Sequence, residues 1–378
     1  MVKTIALIGF VQAIFGILIF ATKRPKHLSF MLLTFWMIII AIFLGARLLP
    51  FEVVEYFKPG IFPIMFLTGP LLYFYVSSLA IENFRLKPIH LLHIIPFLLV
   101  SIHRSTISVV PIAGAPDLTD NPNYLYNKIY YSFLIISVFV YWFLGLDLIL
   151  KHRKNIPLYF SNYSGKNTLS WLILVISLFL VLFIANFSMF FVQNVLELGI
   201  IRFTTLSFNL TLFTFIMIYF GMNQSAIYEK QNLQSKNWQE KVHLGISGQK
   251  YVGSALTEEQ LEELSETVIN YLKNKKPYLN PEYSLQMMVD DLNFSRHKLS
   301  QVINSSQKKN FYKFINEFRI EEVKEMLVDP AFEHYSVLGI ALECGFNSKT
   351  SFNRIFKEET GFTPTEYKKQ ILNQKGSN

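Results

Sequence analysis

Residues 338–367 read LGIALECGFNSKTSFNRIFKEETGFTPTEY, and this segment decides the fold of the C-terminal part. A first helical pattern ends at Gly345, where the missing side chain permits the positive φ of a tight turn. A second pattern starts after Ser348, a residue type that caps helix N-termini, and stops at Gly361. Its apolar positions recur three and four residues apart: Phe352, Ile355 and Phe356. The segment therefore predicts a helix-turn-helix unit.

A similar pattern precedes it at residues 285–303. Its turn holds Asn293, the residue type that tolerates positive φ best after glycine, and Ser295 caps the next helix. Between the two units the sequence predicts a long helix over residues 311–327, which fixes their spacing. Its apolar face consists of Phe311, Phe314, Ile315, Phe318, Val323, Met326 and Leu327.

This part of the chain resembles the DNA-binding domain of the AraC family of bacterial transcription regulators. The matching elements are Ser295-x-x-x-Leu299-Ser300-Gln301, Phe318-Arg319-Ile320, Ala341-x-x-x-Gly345-Phe346-Asn347-Ser348, the run from Phe352 to Lys357, and Thr360-Gly361-Phe362-Thr363-Pro364-x-x-Tyr367. Two features depart from the family: Val289 and Val323 stand where alanine is frequent, and Asn293 replaces the first turn glycine. Apolar helices ahead of such a domain are also similar to membrane-bound regulators of Bacteroidetes-type bacteria.

The resemblance implies that one polypeptide places two recognition helices in successive major grooves of double-stranded DNA, about 34 Å apart. The candidate contact residues are Arg296, His297, Ser300 and Gln301 on the first recognition helix, and Lys349, Thr350, Asn353 and Arg354 on the second. Glutamine and asparagine pair with adenine edges, and arginine and lysine with guanine or phosphate. For any one of these residues the plainer interpretation is a solvated side chain on an exposed helix.

Seven apolar stretches precede this domain, and crossing a bilayer takes roughly 17 to 25 residues of helix. The mean hydropathy of +0.31 agrees with a membrane protein. The predicted spans are residues 4–21, 28–44, 61–80, 89–102, 130–150, 170–192 and 201–220. The fourth is the weakest, because it is short and contains His90, His93 and Pro96. It is tilted, re-entrant or extended toward Val109.

The basic residues of the apolar part indicate its orientation. Residues 1–220 contain 15 Lys and Arg against 7 Asp and Glu, whereas residues 221–378 contain 20 of each. The first, third and fifth connections carry nine of those fifteen basic residues. Because short cytoplasmic loops are enriched in Lys and Arg, the N-terminus is predicted outside, and seven crossings leave the C-terminus in the cytoplasm. The predicted location is the bacterial cytoplasmic (inner) membrane, with a multi-pass topology.

The predicted fold class is all-α: a seven-helix transmembrane bundle followed by a cytoplasmic domain with two helix-turn-helix units joined by a long helix. The predicted domains are a bundle at residues 1–220, a polar linker at 221–256, an acidic amphipathic helix at 257–276 and the DNA-binding domain at 280–370. Thr257 stands three residues before Gln260, the spacing of a capping box, so it predicts the start of the acidic helix.

Charge limits how the C-terminal domain meets DNA. From residue 280 onward the chain has 13 basic and 13 acidic residues, so little net charge attracts DNA non-specifically. Acid-free basic runs lie around the two recognition helices, at residues 295–309 and 347–357. Tight binding is therefore expected to need high local concentration or a homodimer.

No catalytic spacing is present in the apolar part, so we predict no enzyme, no cofactor and no metal. His90 and His93, one helical turn apart, are metal ligands, proton sensors or, the plainer alternative, helix-packing groups. Asn186 and Asn209 either line a ligand pocket or bond between helices, the latter being favoured. Cys344 is a core residue or, less favoured, a redox sensor; as the single cysteine it has no intramolecular disulfide partner.

These observations predict a membrane-bound transcription regulator whose bundle senses a small-molecule or protein signal and controls the DNA-binding domain through the linker. Two alternatives stay open. A transporter or membrane enzyme with an autoregulatory DNA-binding domain would have a continuous polar path across the bundle. A bundle that only anchors the regulator would leave target expression unchanged when residues 1–220 are removed.

Overall fold

A computed structural model of the chain describes residues 2–24, 26–50, 53, 62–81, 84–106, 124–165, 167–196, 202–224 and 257–375. Fourteen α-helices make up most of these residues and no strand occurs among them, which confirms the all-α class. The chain divides into two compact units. The first comprises Met1–His152 and Leu169–Tyr228, and the second comprises Arg153–Thr168 and Glu229–Asn378.

The apolar part contains α1 Val2–Thr22, α2 Leu28–Ala46, α3 Thr68–Ala80, α4 Ile95–Thr106, α5 Tyr124–Tyr159, α6 Ser170–Leu196 and α7 Arg202–Asn223. Short 3-10 segments, Phe62–Leu67 and Pro88–Ile94, lead into α3 and α4. With these segments included, seven stretches among the described residues are long and apolar enough to cross a membrane, as predicted. The predicted extension of the fourth span toward Val109 lies outside the described residues.

Helix α1 packs through its smallest side chains. Ala6, Gly9, Ala13 and Gly16 lie on one buried face, where α1 meets α2 and α7. A Cβ atom on Gly16 would lie 3.1 Å from the Met37 sulfur, so this backbone comes close to its neighbours. Close approach through small residues is the usual packing mode of helices in a membrane, where no hydrophobic force drives helix against helix.

The opposite face of α1 turns large apolar side chains outward. Phe15 and Leu18 are 60% and 58% exposed, and α2, α4, α5, α6 and α7 carry similar residues. Within the described residues, the C-terminal part from residue 257 onward has only three exposed large apolar side chains, namely Tyr335, Leu342 and Phe362. Water penalises a large contiguous apolar surface of this kind, whereas lipid does not. The first compact unit therefore has the surface of a membrane-embedded bundle.

Polar and ring contacts in the first compact unit agree with two sequence expectations, those for Asn209 and His93. Asn209 Nδ2 donates to the Leu182 carbonyl oxygen at 3.3 Å, the favoured interhelical role. Lys151 Nζ lies 2.7 Å from an Asp147 carboxylate oxygen, one helical turn away. His93 packs its ring against Phe74 and Tyr141, which is the helix-packing alternative.

The C-terminal part contains α8 Glu258–Lys275, α9 Leu285–Leu292, α10 Arg296–Ser306, α11 Phe311–Val328, α12 Val337–Glu343, α13 Lys349–Thr360 and α14 Pro364–Lys375. The predicted start of α8 is confirmed: Thr257 Oγ1 accepts from the Gln260 amide and Gln260 Oε1 from the Thr257 amide. Helix α11 matches the predicted linking helix to within one residue.

Two apolar cores share helix α11. Phe311, Phe314 and Ile315 face the first core, built with α8, α9 and α10, and Ile320 and Val323 face the second, built with α12 and α13. The acidic helix, predicted as a separate element, thus packs into the first core through Val268 and Leu272.

The predicted linker needs one correction. It was placed from residue 221 onward, but helix α7 continues to Asn223, because Gly221 packs against Phe20 and Leu33 as part of the helix. A glycine that fits a close helix contact does not end the helix. The rest of the predicted linker, residues 225–256, lies outside the described residues.

Candidate DNA-binding site

The first helix-turn-helix unit consists of α9 and α10. Asn293 ends α9 with φ of 57°, and Ser295 Oγ accepts from the Lys298 amide nitrogen at 3.3 Å to cap α10. Leu299, Val302 and Ile303 bury one face of α10 in the core. The opposite face and the N-terminal end of α10 therefore remain for a partner, as in a recognition helix.

The second unit consists of α12 and α13. Gly345 takes φ of 87° in the turn, and Ser348 Oγ accepts from the Ser351 amide nitrogen at 3.1 Å to cap α13. Phe352, Ile355 and Phe356 are buried, and Gly361 ends the helix with φ of 80°. Both predicted turns and both predicted caps are therefore present.

The two recognition helices differ in how far they expose the predicted contact residues. On α13, Lys349, Thr350, Asn353 and Arg354 are all exposed on the side opposite the buried phenylalanines. On α10, His297 is exposed, whereas Arg296, Ser300 and Gln301 are half-buried. Helix α13 thus offers the more open surface for DNA.

Both predicted arginines already have partners inside the protein. Arg296 Nη2 donates to Gln286 Oε1 at 2.5 Å, and its guanidinium lies 5.7 Å from the centre of the Tyr159 ring. Arg354 Nη1 donates to the Glu358 carboxylate at 2.8 and 3.0 Å, and its Nη2 donates to the Tyr312 hydroxyl at 3.1 Å. The donors engaged in these bonds can reach DNA only if the side chains exchange partners.

Arg319 lies between the two helix-turn-helix units and is fully buried. Its Nε donates to the Tyr278 carbonyl oxygen at 2.7 Å, and Nη2 donates to the Asn280 carbonyl oxygen at 2.9 Å. Burial lowers the pKa of this guanidinium from its usual value. The oxygen atoms around it accept from the charged form, however, and an arginine with such partners stays protonated at physiological pH. Arg319 is thus a buried cation held by carbonyl oxygens.

A further partner of Arg319, which the sequence patterns did not predict, comes from residues 159–168, where α5 leads into α6. These residues, without Lys166, which lies outside the described residues, are called the docking loop. Arg319 Nη1 donates to the Ser161 carbonyl oxygen at 3.0 Å and Nη2 to the Ser161 hydroxyl at 2.9 Å. Asn316 Nδ2 donates to the same carbonyl oxygen at 3.1 Å. The docking loop belongs to the second compact unit.

Cys344 is a core residue of the second helix-turn-helix unit. It is fully buried against α11, with its sulfur 3.4 Å from that of Met326. Burial, reinforced by the nearby Glu322 and Glu343, raises the pKa of the thiol to about 12. A thiol in this state carries almost no thiolate at neutral pH, which argues against the redox-sensor alternative. Within the described residues, no group of three or more His, Cys, Asp or Glu side chains could hold a metal ion.

Comparison with known proteins agrees with this geometry. The family described as Helix-turn-helix domain matches residues 288–370. The Msm operon regulatory protein of Streptococcus mutans serotype c is 27% identical over 128 residues, which are 32% of this chain and 45% of that protein. An uncharacterized HTH-type transcriptional regulator of Staphylococcus aureus (strain COL) is 32% identical over 91 residues, 24% of this chain and 12% of that protein.

These matches cover less than half the length of either relative. No solved structure matches the chain. Residues 288–370 form a helix-turn-helix domain of the AraC type, and the apolar helices ahead of it fit the membrane-bound arrangement.

Proposed function

We propose that this protein is a membrane-bound, sequence-specific transcription regulator. The observation that carries the proposal is the pair of capped helix-turn-helix units on one linking helix, in the same chain as seven apolar helices. The names of the two relatives, an operon regulatory protein and a transcriptional regulator, support the same role.

Two recognition helices, α10 and α13, read DNA in successive major grooves. On α13, Asn353 suits an adenine edge, and Lys349 and Arg354 suit guanine or phosphate, because amide and cationic side chains match these base patterns. On α10, Gln301 and Arg296 take the corresponding roles, while His297, Ser300 and Thr350 contact backbone or base edges. Acid-free basic runs surround both helices, at residues 295–309 and 347–357, whereas the domain as a whole is electrically balanced.

The seven apolar helices cross the bacterial inner membrane with the N-terminus outside. The excess of Lys and Arg in alternate connections supports this orientation. An odd number of crossings then leaves the DNA-binding domain in the cytoplasm, where the chromosome is.

The bundle senses a small-molecule or protein signal and changes the state of the DNA-binding domain. A signal can shift this equilibrium only if it binds two bundle states with different affinity. Three buried hydroxyls of the bundle do not contribute to a transport path: Ser77, Ser78 and Thr214 donate to carbonyl oxygens three or four residues earlier in their own helices. Such local bonds satisfy a hydroxyl without building a route across the membrane.

Selection of DNA by the intact protein tests sequence-specific binding. The purified chain, held in lipid nanodiscs, is incubated with a random duplex pool at physiological salt. We expect a bipartite motif whose two elements are about 10 base pairs apart, one helical turn. Recovery of DNA without any enriched sequence would contradict the proposal. Because the domain has no net charge, single-copy binding is weak, and a homodimer would enrich the motif in duplicate.

Removal of residues 1–220 tests sensing. Target genes are those next to the sites that the intact protein binds in cells. If the bundle senses, the truncated chain makes their transcription constitutive. The truncation also removes the docking loop that contacts Arg319, so abolished transcription supports sensing only if the truncated chain still binds the selected duplex. Unchanged transcription and unchanged response would mean that the bundle is an anchor only.

A further inference from the structure

The docking loop contacts both helix-turn-helix units at once. On the side of the first unit, Ser161 donates through its amide and its hydroxyl to the Tyr283 carbonyl oxygen, at 3.3 and 2.5 Å, and Phe160 pairs with Ser284, the N-cap of α9. On the side of the second unit, Asn162 Nδ2 donates to the Gly345 carbonyl oxygen at 2.8 Å.

Asn162 is the residue that joins the two sides. The same Nδ2 donates to the Pro281 carbonyl oxygen, before α9, at 2.8 Å. One amide group thus ties the segment that leads into the first unit to the turn of the second. Next to it, Asn347 Nδ2 donates to the Tyr163 carbonyl oxygen at 2.8 Å, immediately before the cap of α13.

The two central residues of the docking loop are buried. Ser161 and Asn162 are 0% and 5% exposed. Connecting segments usually run over the surface, because buried backbone groups need partners there. Here the Ser161 carbonyl oxygen accepts from both Arg319 and Asn316, which would lose this acceptor if the loop left. Leaving a buried donor unsatisfied is costly, and most costly for a charged group.

The docking loop also holds its own shape. Asn167 Oδ1 accepts from the Ser164 amide at 2.8 Å, and Asn167 Nδ2 donates to the Asn162 carbonyl oxygen at 2.8 Å. At the base of the loop, Arg153 Nε donates to the Thr168 carbonyl oxygen at 2.7 Å. A loop closed in this way presents Ser161 and Asn162 as a fixed pair, so little conformational entropy is lost when they dock.

The loop reaches both recognition helices. Its first residue, Tyr159, lies against Arg296 at the start of α10. Its Tyr163 ring packs edge-on against Tyr312 at 5.3 Å, and the Tyr312 hydroxyl accepts from Arg354 of α13. A shift of the loop would therefore displace the contacts of one predicted DNA-contact arginine in each helix-turn-helix unit.

We propose that the docking loop is an intramolecular clasp that fixes the spacing of the two helix-turn-helix units and carries the state of the bundle to them. The coupling to the bundle follows from covalent continuity, because the loop joins α5 and α6, two of the seven apolar helices. A change at the ends of these helices reaches Ser161 and Asn162 within a few residues. This inference rests on the proposed function and adds a route of coupling beside the polar linker.

The test compares Asn162→Ala with Asn155→Ala in the intact chain in nanodiscs. Asn155 is exposed on α5, seven residues earlier, and serves as the matched control. Two duplexes are titrated: one that the unaltered protein selects from a random pool, and the same duplex with one of its two elements scrambled. A loose clasp weakens binding only where both units must bind together, because spacing does not matter for a single element.

We expect Asn162→Ala to weaken binding to the two-element duplex about five- to tenfold, roughly the loss of one or two net hydrogen bonds. Binding to the one-element duplex should stay within twofold of the control. Amide exchange should become faster at Ser161 and at Phe346 in Asn162→Ala and not in Asn155→Ala.

Equal affinity of Asn162→Ala and Asn155→Ala for the two-element duplex would overturn the clasp, and so would an equal loss on both duplexes. If Asn162→Ala does not fold, Tyr163→Ala takes its place: it removes the ring contact with Tyr312 and keeps every hydrogen bond of the loop, and a two-element loss of about twofold is expected. Failure of the unaltered protein to select any DNA would instead contradict the proposed function.

Discussion

Among the glycines that the structure describes in the DNA-binding domain, Gly345 has the strictest steric requirement. Its φ of 87° lies in the left-handed region, and a Cβ atom there would press against the Tyr278 carbonyl oxygen and lie 2.9 Å from Arg319 Nε. Gly361 has a similar φ of 80°, but nothing lies within 4 Å of its Cβ position. A side chain at Gly361 would therefore meet backbone strain alone, whereas a side chain at Gly345 would meet both backbone strain and steric clash.

Replacing each glycine by alanine measures the difference. Gly361→Ala should lower the local free energy of unfolding by about 1 kcal/mol, the cost of a left-handed non-glycine residue. Gly345→Ala adds a clash with backbone and with the Arg319 guanidinium, so we expect roughly 2–4 kcal/mol. Hydrogen exchange of the α12 and α13 amides in the intact protein gives both values. Equal losses would show that the contacts around Gly345 relax easily.

At the scale of single elements, α13 is the helix best placed to read DNA. Its buried phenylalanines fix which side faces the core, so Asn353 and Lys349 are directed away from it. If Asn353 pairs with an adenine edge, loss of its amide should cost about 1–3 kcal/mol of specific binding.

Asn353→Ala should thus weaken binding to the selected duplex about 5- to 150-fold and relax base preference at one position of the motif. Asn270→Ala is the control, because Asn270 is an exposed asparagine on α8, outside both units. Titration of each variant with the selected duplex, and renewed selection, provide the readout. An unchanged motif in Asn353→Ala would remove this residue from the DNA interface.

Helix boundaries could be predicted from sequence because their causes are local. Thr257, Ser295 and Ser348 cap the helices that follow them, and Asn293 and Gly345 adopt the positive φ that their turns need. Each signal lies within four residues of the boundary that it marks. The AraC-type domain was therefore predictable in some detail.

The docking loop was not predictable, because its partners are more than a hundred positions away in sequence. Ser161 and Asn162 stand in a short polar stretch that reads as an ordinary basic loop. One cue was available: Arg319 falls among apolar residues on the inner face of the linking helix, and a buried guanidinium needs several acceptors. Sequence alone does not say where those acceptors come from.

At the scale of the whole molecule, the distribution of exposed apolar surface separates two environments. Within the described residues, α1, α2, α4, α5, α6 and α7 carry most of the large exposed apolar side chains, and the C-terminal part has few. The charge distribution predicts the orientation of the apolar helices in the membrane, because positive residues concentrate in alternate connections.

Single cysteines test the resulting topology, since the native chain has only the buried Cys344. In a Cys344→Ala background, Leu49→Cys should react with a membrane-impermeant maleimide in intact spheroplasts, because the second connection is predicted outside. Lys26→Cys, in the first connection, should react only after the membrane is permeabilised. The reverse pattern would place the DNA-binding domain outside the cytoplasm and end the regulatory proposal.

The most direct test of a membrane-bound DNA-binding regulator is to map the DNA attached to it in the membrane. Cells expressing the intact chain are crosslinked, their membranes are isolated, and the DNA recovered with the protein is sequenced. We predict discrete chromosomal sites that carry the bipartite motif, that keep their occupancy with Asn270→Ala and that lose occupancy with Asn353→Ala. Evenly distributed DNA without any enriched motif would contradict the account.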